Sequence, residues 1–305
     1  MIKRTIYLGS KSYLSLSTKQ LVIKKGKEAT EGSSIPIEDI GIMILDHSQI
    51  TITQGLVNAL IENNAAVLWC DCRHIPNGLI LPLAGNHIYT EKIKHQIAAS
   101  EPLKKQLWKQ TVQAKIRNQA AVLSQLGFQN ENLLLWAQKT SSGDSVNMEG
   151  RAAAWYWKCF FEYINKKDLT RDRDGDPPNN LLNYGYAILR AIVARSLVAS
   201  GCLPALGIHH RNKYNAFCLA DDIMEPYRPL VDLLVIDLIK DSHPDELPFI
   251  LDKETKAHLL RIPTLDVKIK NATSPLMVGM QRTTASLMEC FEGNMKKINY
   301  PELWN

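Results

Sequence analysis

Hydrophobic residues change their rhythm along this chain near residue 86. Up to that point they come in short runs parted by polar turns. The segment "TIYLGSKSYLSLSTKQLVIKK" alternates β-prone runs with polar breaks, which predicts strands joined as hairpins. "SSIPIEDIGIMILDH" adds an isoleucine-rich strand, and "ITQGLVNALIENN" sets Leu56, Ala59 and Leu60 at helical spacing. "AAVLWCDC" and "GLILPLA" flank the turn "RHIPNG", so two more strands are expected there. Residues 1–86 thus read as a small β domain with one helix.

A polar junction at 87–91 separates this part from residues 92–305, where the period lengthens. Trp108, Val112, Ile116 and Ala120 recur every four positions within 102–125, one face of a long helix. "NMEGRAAAWYWKCFFEYINKK" lines up Ala152, Tyr156 and Phe160 in the same way. Residues 168–180, "DLTRDRDGDPPNN", are charged and rich in Gly and Pro, hence loop. "LLNYGYAILRAIVARSLVASG" predicts a helix closed by Gly201. The rest reads as helical, with breaks at Pro244, Pro248 and Pro263. The fold class expected is α+β: a small N-terminal β-strand domain with one helix, then a larger all-α domain.

Composition narrows the class without naming a function. A chain of 305 residues with 45% hydrophobic and 22% charged residues has the balance of a globular protein, not of a disordered one. Charge is unevenly placed. Residues 91–120 hold Lys92, Lys94, Lys104, Lys105, Lys109, Lys115 and Arg117 against Glu91 and Glu101; seven minus two is +5, equal to the net charge of the whole chain. A face of that kind suits a polyanion, or is simply a solvated helix surface. The six cysteines form no Cys-x-x-Cys pair and mostly lie in apolar runs, as reduced thiols of a cytoplasmic protein do. The N-terminus lacks a long apolar stretch, so no signal peptide is expected. The best membrane candidate, "YAILRAIVARSLVASGCL", is interrupted by Arg190 and Arg195 and reads as a buried helix.

The chemistry concentrates in "GIHHRNKYNAFCLADDIMEP", residues 207–226. With a helix from 221 onward, Asp222 and Glu225 share a face at i and i+3, but Asp221 and Glu225 at i and i+4 do so too. Spacing therefore leaves the aspartates undecided. Pro226 is tolerated within a first turn, which would gather the acids at the positive end of a helix. Carboxylates with an imidazole form a hard-leaning ligand set suited to Mg²⁺ or Mn²⁺. The plain alternative is helix capping and salt bridges with Arg228 or Arg211.

The pattern resembles the family of CRISPR-associated endonucleases that integrate new spacers, the Cas-one family. Gly207-x-x-His210 matches its first motif, and Asp222-Ile-Met-Glu225 followed by Tyr227-Arg228 matches its second. "NMEGRAAAWYW" supplies Glu149 as the glutamate that opens an earlier helix, and "AKIRNQ" stands at 114–119. The compact length and the "IHHRNKYNAF" version are most similar to members from systems with a single large RNA-guided effector nuclease. The resemblance implies a helical catalytic domain in which Glu149, His210 and Glu225 are catalytic and hold Mg²⁺ or Mn²⁺. It adds Asp222 as a further ligand in some members, with His209 outside the ligand set. It implies transesterification by a 3′-hydroxyl that inserts short DNA fragments into a CRISPR array. No ATP is required, and no Walker motif is present. Lys105, Lys109, Lys115 and Arg117 are then candidates for a phosphate track, and Arg151, Arg211 and Arg228 for bracing the scissile strand. Tyr184 and Tyr186 are expected in the core. The implied partners are prespacer duplexes with single-stranded 3′ ends, repeat DNA, a second copy joined through the β domain, and a dimer of the small ferredoxin-like Cas-two protein; no membrane is involved. Two other readings compete: a metal-dependent nuclease on branched DNA in repair, and a non-catalytic DNA-binding scaffold.

Overall fold

The computed structural model describes residues 3–303 except 73, 84, 173–174 and 241–249. Two compact units divide the chain, residues 1–87 and 88–305. Unit one holds β1 (Arg4–Leu8), β2 (Tyr13–Ser17), β3 (Gln20–Lys24), β4 (Gly32–Pro36), β5 (Ile40–Leu45), β6 (Thr51–Ile52), α1 (Gln54–Glu62), β7 (Ala66–Cys70) and β8 (Pro76–Ile80). They form two four-stranded sheets, in the orders β1-β5-β7-β8 and β4-β3-β2-β6. The β2–β3 hairpin turns through Thr18 and Lys19, both at positive φ (45° and 60°), as a two-residue turn between twisted strands requires. The β1–β5 and β5–β7 pairings are parallel, and α1 lies in the chain between β5 and β7. Every residue of β5, "IGIMIL", is buried, so its unbroken apolar run is that of a strand covered on both faces. Leu14, Leu21, Met43, Leu56, Leu60 and Val67 form the core of this unit.

Unit two is mostly helical: α2 (Tyr89–Ala98), α3 (Glu101–Gln125), α4 (Glu131–Lys139), α5 (Met148–Tyr163), α6 (Asn179–Ala199), α7 (Cys218–Met224), α8 (Arg228–Lys240), α9 (Lys253–Leu259) and α10 (Leu276–Phe291). The stripe Trp108, Val112, Ile116 and Ala120 is buried along α3. Ser100 caps that helix by accepting from Leu103 N. Helix α6 stops where Gly201 takes φ +85°, a backbone shape that favours glycine. Among the described residues, α6 is the one helix long and apolar enough to cross a membrane, yet most of it is buried in the fold.

Three features differ from the sequence reading. Helix α2 starts at Tyr89, inside the stretch read as a junction. Within the region read as helical, β9 (Asp266–Ile269) and β10 (Ala272–Pro275) pair as an antiparallel hairpin. Val267 and Ile269 are buried there while Asp266 is exposed and Lys268 half-buried, a period-two pattern too short to stand out. The expected breaks at Pro244 and Pro248 lie outside the described residues. Thirdly, the last residues return along α3. Ile298 N donates to Gln110 Oε1 at 2.9 Å, Tyr300 Oη meets Thr111 Oγ1 at 2.7 Å, and Leu303 N donates to Asn118 Oδ1 at 3.1 Å.

Candidate active site

Four segments of unit two converge: the middle of α3, the start of α5, the loop 207–210, and the junction of α7 with α8. Glu149 is the second residue of α5. Asp144 accepts from Met148 N and Glu149 N, both at 2.9 Å, and Asn147 accepts from Gly150 N. These bonds satisfy the open N–H groups of the first turn and fix where the Glu149 carboxylate starts.

Glu225 is placed differently from the expectation of a helix beginning at 221. The helix starts at Cys218, and a single 3-10 turn, Glu225–Tyr227, joins α7 directly to α8. Glu225 therefore sits inside a continuous helical run, while Asp221 stays in the first turn of α7. Pro226 is accommodated in the tighter turn, and its carbonyl accepts from Asn118 Nδ2 of α3 at 2.7 Å. Asn118 also donates to Pro301 O at 3.1 Å, so α3, the Glu225 turn and the C-terminal segment are tied at one buried amide.

Lys115 lies one turn before Asn118. Its ammonium is 2.7 Å from Glu149 Oε1 and 2.6 Å from Glu225 Oε2, and the side chain is 12% exposed. Arg228 Nη2 holds the other oxygen, Glu225 Oε1, at 3.0 Å. Its guanidinium lies 4.9 Å from the centre of the Tyr186 ring. Burial works against the charge of Lys115, yet Glu225 and Glu149 together hold its ammonium above the ordinary value. Burial likewise opposes the Glu225 charge, but Arg228 and then Lys115 outweigh it and keep the carboxyl below its usual range.

The two aspartates are separated by their partners. Asp221 accepts from Arg190 Nε and from Asn215 Nδ2, each at 2.7 Å. Asp222 is fully buried. Its Oδ2 accepts from Ile208 N (2.7 Å) and His209 N (3.0 Å), and its Oδ1 accepts from His210 N (3.2 Å) and faces His210 Nδ1 at 2.5 Å. Four contacts engage this carboxylate, so it shapes the loop and orients His210. With Nδ1 engaged, the Nε2 atom of His210 remains for a ligand, the arrangement by which a carboxylate sets a metal-binding imidazole. The Asp222 contact, against some cost of burial, raises the His210 pKa above the ordinary histidine value, and Glu225 and Glu149 add to it. His209 stacks flat on Trp108, 4.1 Å between ring centres and 1° between planes. Its pKa is lowered, first by burial.

Among the described residues, no three His, Cys, Asp or Glu side chains close into a ready-made ion cage. The side chains nonetheless suit a hard divalent cation. Two carboxylate oxygens already converge on one positive charge, and Glu225 Oε2 is buried without an aligned hydrogen bond.

The remaining predicted contacts are dispersed. Lys105 and Arg117 are exposed on α3 and Lys109 is half-buried. Arg117 lines a cavity with Lys270 and Lys297. Arg151 lies over Trp136, and Arg211 pairs with Glu101. A groove of about 830 Å³ opens on the His210 side, bordered by Glu101, Lys104, Arg211 and Tyr214. Tyr184 and Tyr186 are core residues.

Trp108, Asp144 and the bridging role of Lys115 were not apparent from sequence. For Lys115 a signal existed: a lysine at position 115 falls on the buried face that carries Trp108, Val112 and Asn118, where a charge needs a partner.

Comparison with known proteins gives a consistent picture. A profile of the family described as "CRISPR associated protein Cas1" matches residues 6–264. A CRISPR-associated endonuclease Cas1 of Neisseria meningitidis is 37% identical over 306 residues, covering 99% of this chain and 97% of that protein. Among solved structures, a casposase bound to integration product superimposes with a TM-score of 0.82 at 21% identity, over 99% of this chain and 94% of the other. A chain of a Cas6-RT-Cas1–Cas2 complex gives 0.73 at 20% identity, over 99% of this chain and 36% of the other.

Proposed function

The chain belongs to the CRISPR-associated Cas1 family, and on that premise we propose that it is a DNA endonuclease and integrase that inserts short fragments into a CRISPR array. The observation that carries this reading is the convergence of Glu149 and Glu225 on a single positive charge, beside an imidazole pre-oriented by Asp222.

Glu149, Glu225 and His210 are the residues that would hold Mg²⁺ or Mn²⁺. Bound there, such an ion supplies charge neutralisation at the phosphorus and a more acidic attacking hydroxyl. The protein's own groups do the positioning. Asp222 holds the His210 ring through Nδ1, which leaves Nε2 as the nitrogen for a ligand. Arg228 fixes Glu225 through Oε1, which leaves Oε2 for a cation. Trp108 clamps His209 and so braces the loop that presents His210. The reaction exchanges one phosphodiester for another: a fragment's 3′-hydroxyl oxygen bonds to phosphorus at the repeat boundary, and the displaced 3′-oxygen of the repeat strand leaves with a proton. No high-energy cofactor enters that balance.

Lys105, Lys109 and Arg117 would neutralise backbone phosphates without reading sequence. Tyr214, 85% exposed at the rim of the groove near His210, offers a ring for an unpaired base. A homodimer formed through the β unit, together with a Cas2 dimer, would carry the prespacer in the cytoplasm. The structural relatives include a Cas6-RT-Cas1–Cas2 complex, which supports that partnership.

The decisive experiment supplies a labelled fragment with free 3′ ends, a supercoiled plasmid bearing the repeat, the Cas2 partner and Mn²⁺. Joined product is expected from the native protein and none from Glu149→Gln, His210→Ala or Glu225→Gln. Hydrolysed strands with no joined product would point instead to a repair nuclease. Unchanged activity in the three variants would leave a scaffold.

A further inference from the structure

Taking the metal-site reading as given, we propose that Lys115 is an internal counter-cation, which a divalent ion must displace from Glu149 and Glu225, so that metal and DNA phosphate enter the site together.

The argument begins with geometry. The Lys115 ammonium lies 2.7 Å and 2.6 Å from oxygens of the two glutamates that would hold the ion. Lysine carries a compact point charge on a flexible stem, so it can fill such a gap and leave it again without moving the helix. The helix itself is held by Asn118, whose amide is bonded to Pro226 O and Pro301 O. The mobile part is thus the side chain of Lys115 alone.

Charge balance supplies the second step. Glu149 and Glu225 contribute two negative charges, and Lys115 and Arg228 contribute two positive ones, so these four side chains balance beside the His210–Asp222 pair. A divalent ion added to that set brings an excess of +2 into a largely buried site. An entering phosphodiester removes part of the excess and offers Lys115 a new anionic partner within reach. Each ligand therefore raises the affinity for the other, and by linkage the two factors are equal. The site discriminates against metal without DNA, which limits stray hydrolysis. Lys115 accordingly belongs with the positioning groups of the site rather than with the phosphate track on the exposed side of α3.

The test measures Mn²⁺ binding by the paramagnetic resonance of free Mn²⁺, with the full chain, in the presence and absence of a short DNA duplex, subtracting the ion held by DNA alone. The native protein is expected to bind Mn²⁺ about 10-fold more tightly with the duplex than without it, within the usual range of coupling between sites. Lys115→Met is expected to bind Mn²⁺ about 10-fold more tightly than the native protein when no DNA is present, with the effect of DNA falling below about 3-fold. Lys115→Arg keeps the charge and should resemble the native protein. Unchanged or weaker Mn²⁺ binding by Lys115→Met overturns the proposal. If that variant is unfolded without metal, Mn²⁺ should restore its thermal transition; failure to do so also overturns the proposal, since the ion then cannot replace the ammonium. Glu149→Gln and Glu225→Gln separate the two levels. Loss of Mn²⁺ binding in both, with Lys115→Met behaving as native, removes the counter-cation and leaves the metal site standing. Native-like Mn²⁺ binding in both removes the metal site and this role with it.

Discussion

At the scale of single residues, Asp222 shows how chemistry and structure share one side chain. Its two oxygens meet three backbone N–H groups and one imidazole nitrogen. Asp222→Asn replaces one acceptor oxygen by a donor that faces donors, so a loss of about 2 kcal/mol is expected. Denaturant midpoints should show it, alongside a fall in strand joining of roughly 100-fold from a misoriented His210. A variant that joins normally would make the His210 orientation irrelevant. Asp232 titrates by a different cause. Burial raises its pKa to about 6, against hydrogen bonds from Tyr186 (2.5 Å) and Tyr156 (2.8 Å). The folded value lies above the unfolded one, so the protonated form is favoured by folding. That stabilisation is full below pH 3.8 and is lost as pH rises through about 6. The native protein should therefore lose on the order of 3 kcal/mol relative to Asp232→Asn across that window. Urea unfolding from pH 3.5 to 7.5 checks this; a constant gap between the two proteins contradicts it. Sequence placed Glu149, His210 and Glu225 by motif, but it could not rank Asp221 against Asp222. That choice depends on Arg190, Asn215 and the 207–210 loop, all remote in the pattern of spacing.

At the scale of elements, α3 organises the site. Its apolar stripe was legible because four-residue periodicity over so long a helix has few competing readings. The C-terminal strap along it was not, because "KKINYPELWN" carries no periodic signal and its hydrogen bonds run to Gln110, Thr111 and Asn118. The β9–β10 hairpin was missed for a similar reason: four-residue strands leave too little alternation to read. The run from α7 to α8 misled in another way. Pro226 was read as marking a helix start, whereas a 3-10 turn carries the proline in mid-run. Asn118 welds these pieces together. Asn118→Ala strands three backbone groups, the buried carbonyls of Pro226 and Pro301 and the half-buried N–H of Leu303, and should cost roughly 3 kcal/mol. Because the Glu225 turn is one of the three, metal-dependent joining should weaken with stability. Parallel melting and joining assays test the pair of effects; a stable but inactive variant would place Asn118 in the chemistry itself.

At the scale of the whole molecule, the proposed partner is a polyanion and the chain's net charge is only +5. Binding must then rest on where the positive groups lie. Several are already committed: Lys115 and Arg228 to the glutamates, Arg190 to Asp221, and Arg211 to Glu101. Lys105 and Arg117 are exposed on α3, with Lys109 half-buried between them. If each of the three neutralises one backbone phosphate, each releases close to one counterion. The slope of log affinity against log salt should then fall by about 0.9 per contact removed. Lys105→Gln, Lys109→Gln and Arg117→Gln combined should reduce it by between about 2 and 3, alike for duplexes of any sequence. The same triple variant should keep its unfolding midpoint, since none of the three is buried. Fluorescence anisotropy with a duplex over a salt series measures the slope. A lower affinity with an unchanged slope would mean that the loss comes from misfolding or from a contact other than phosphate. An unchanged affinity would move the DNA track off α3 and onto the rim of the groove beside His210.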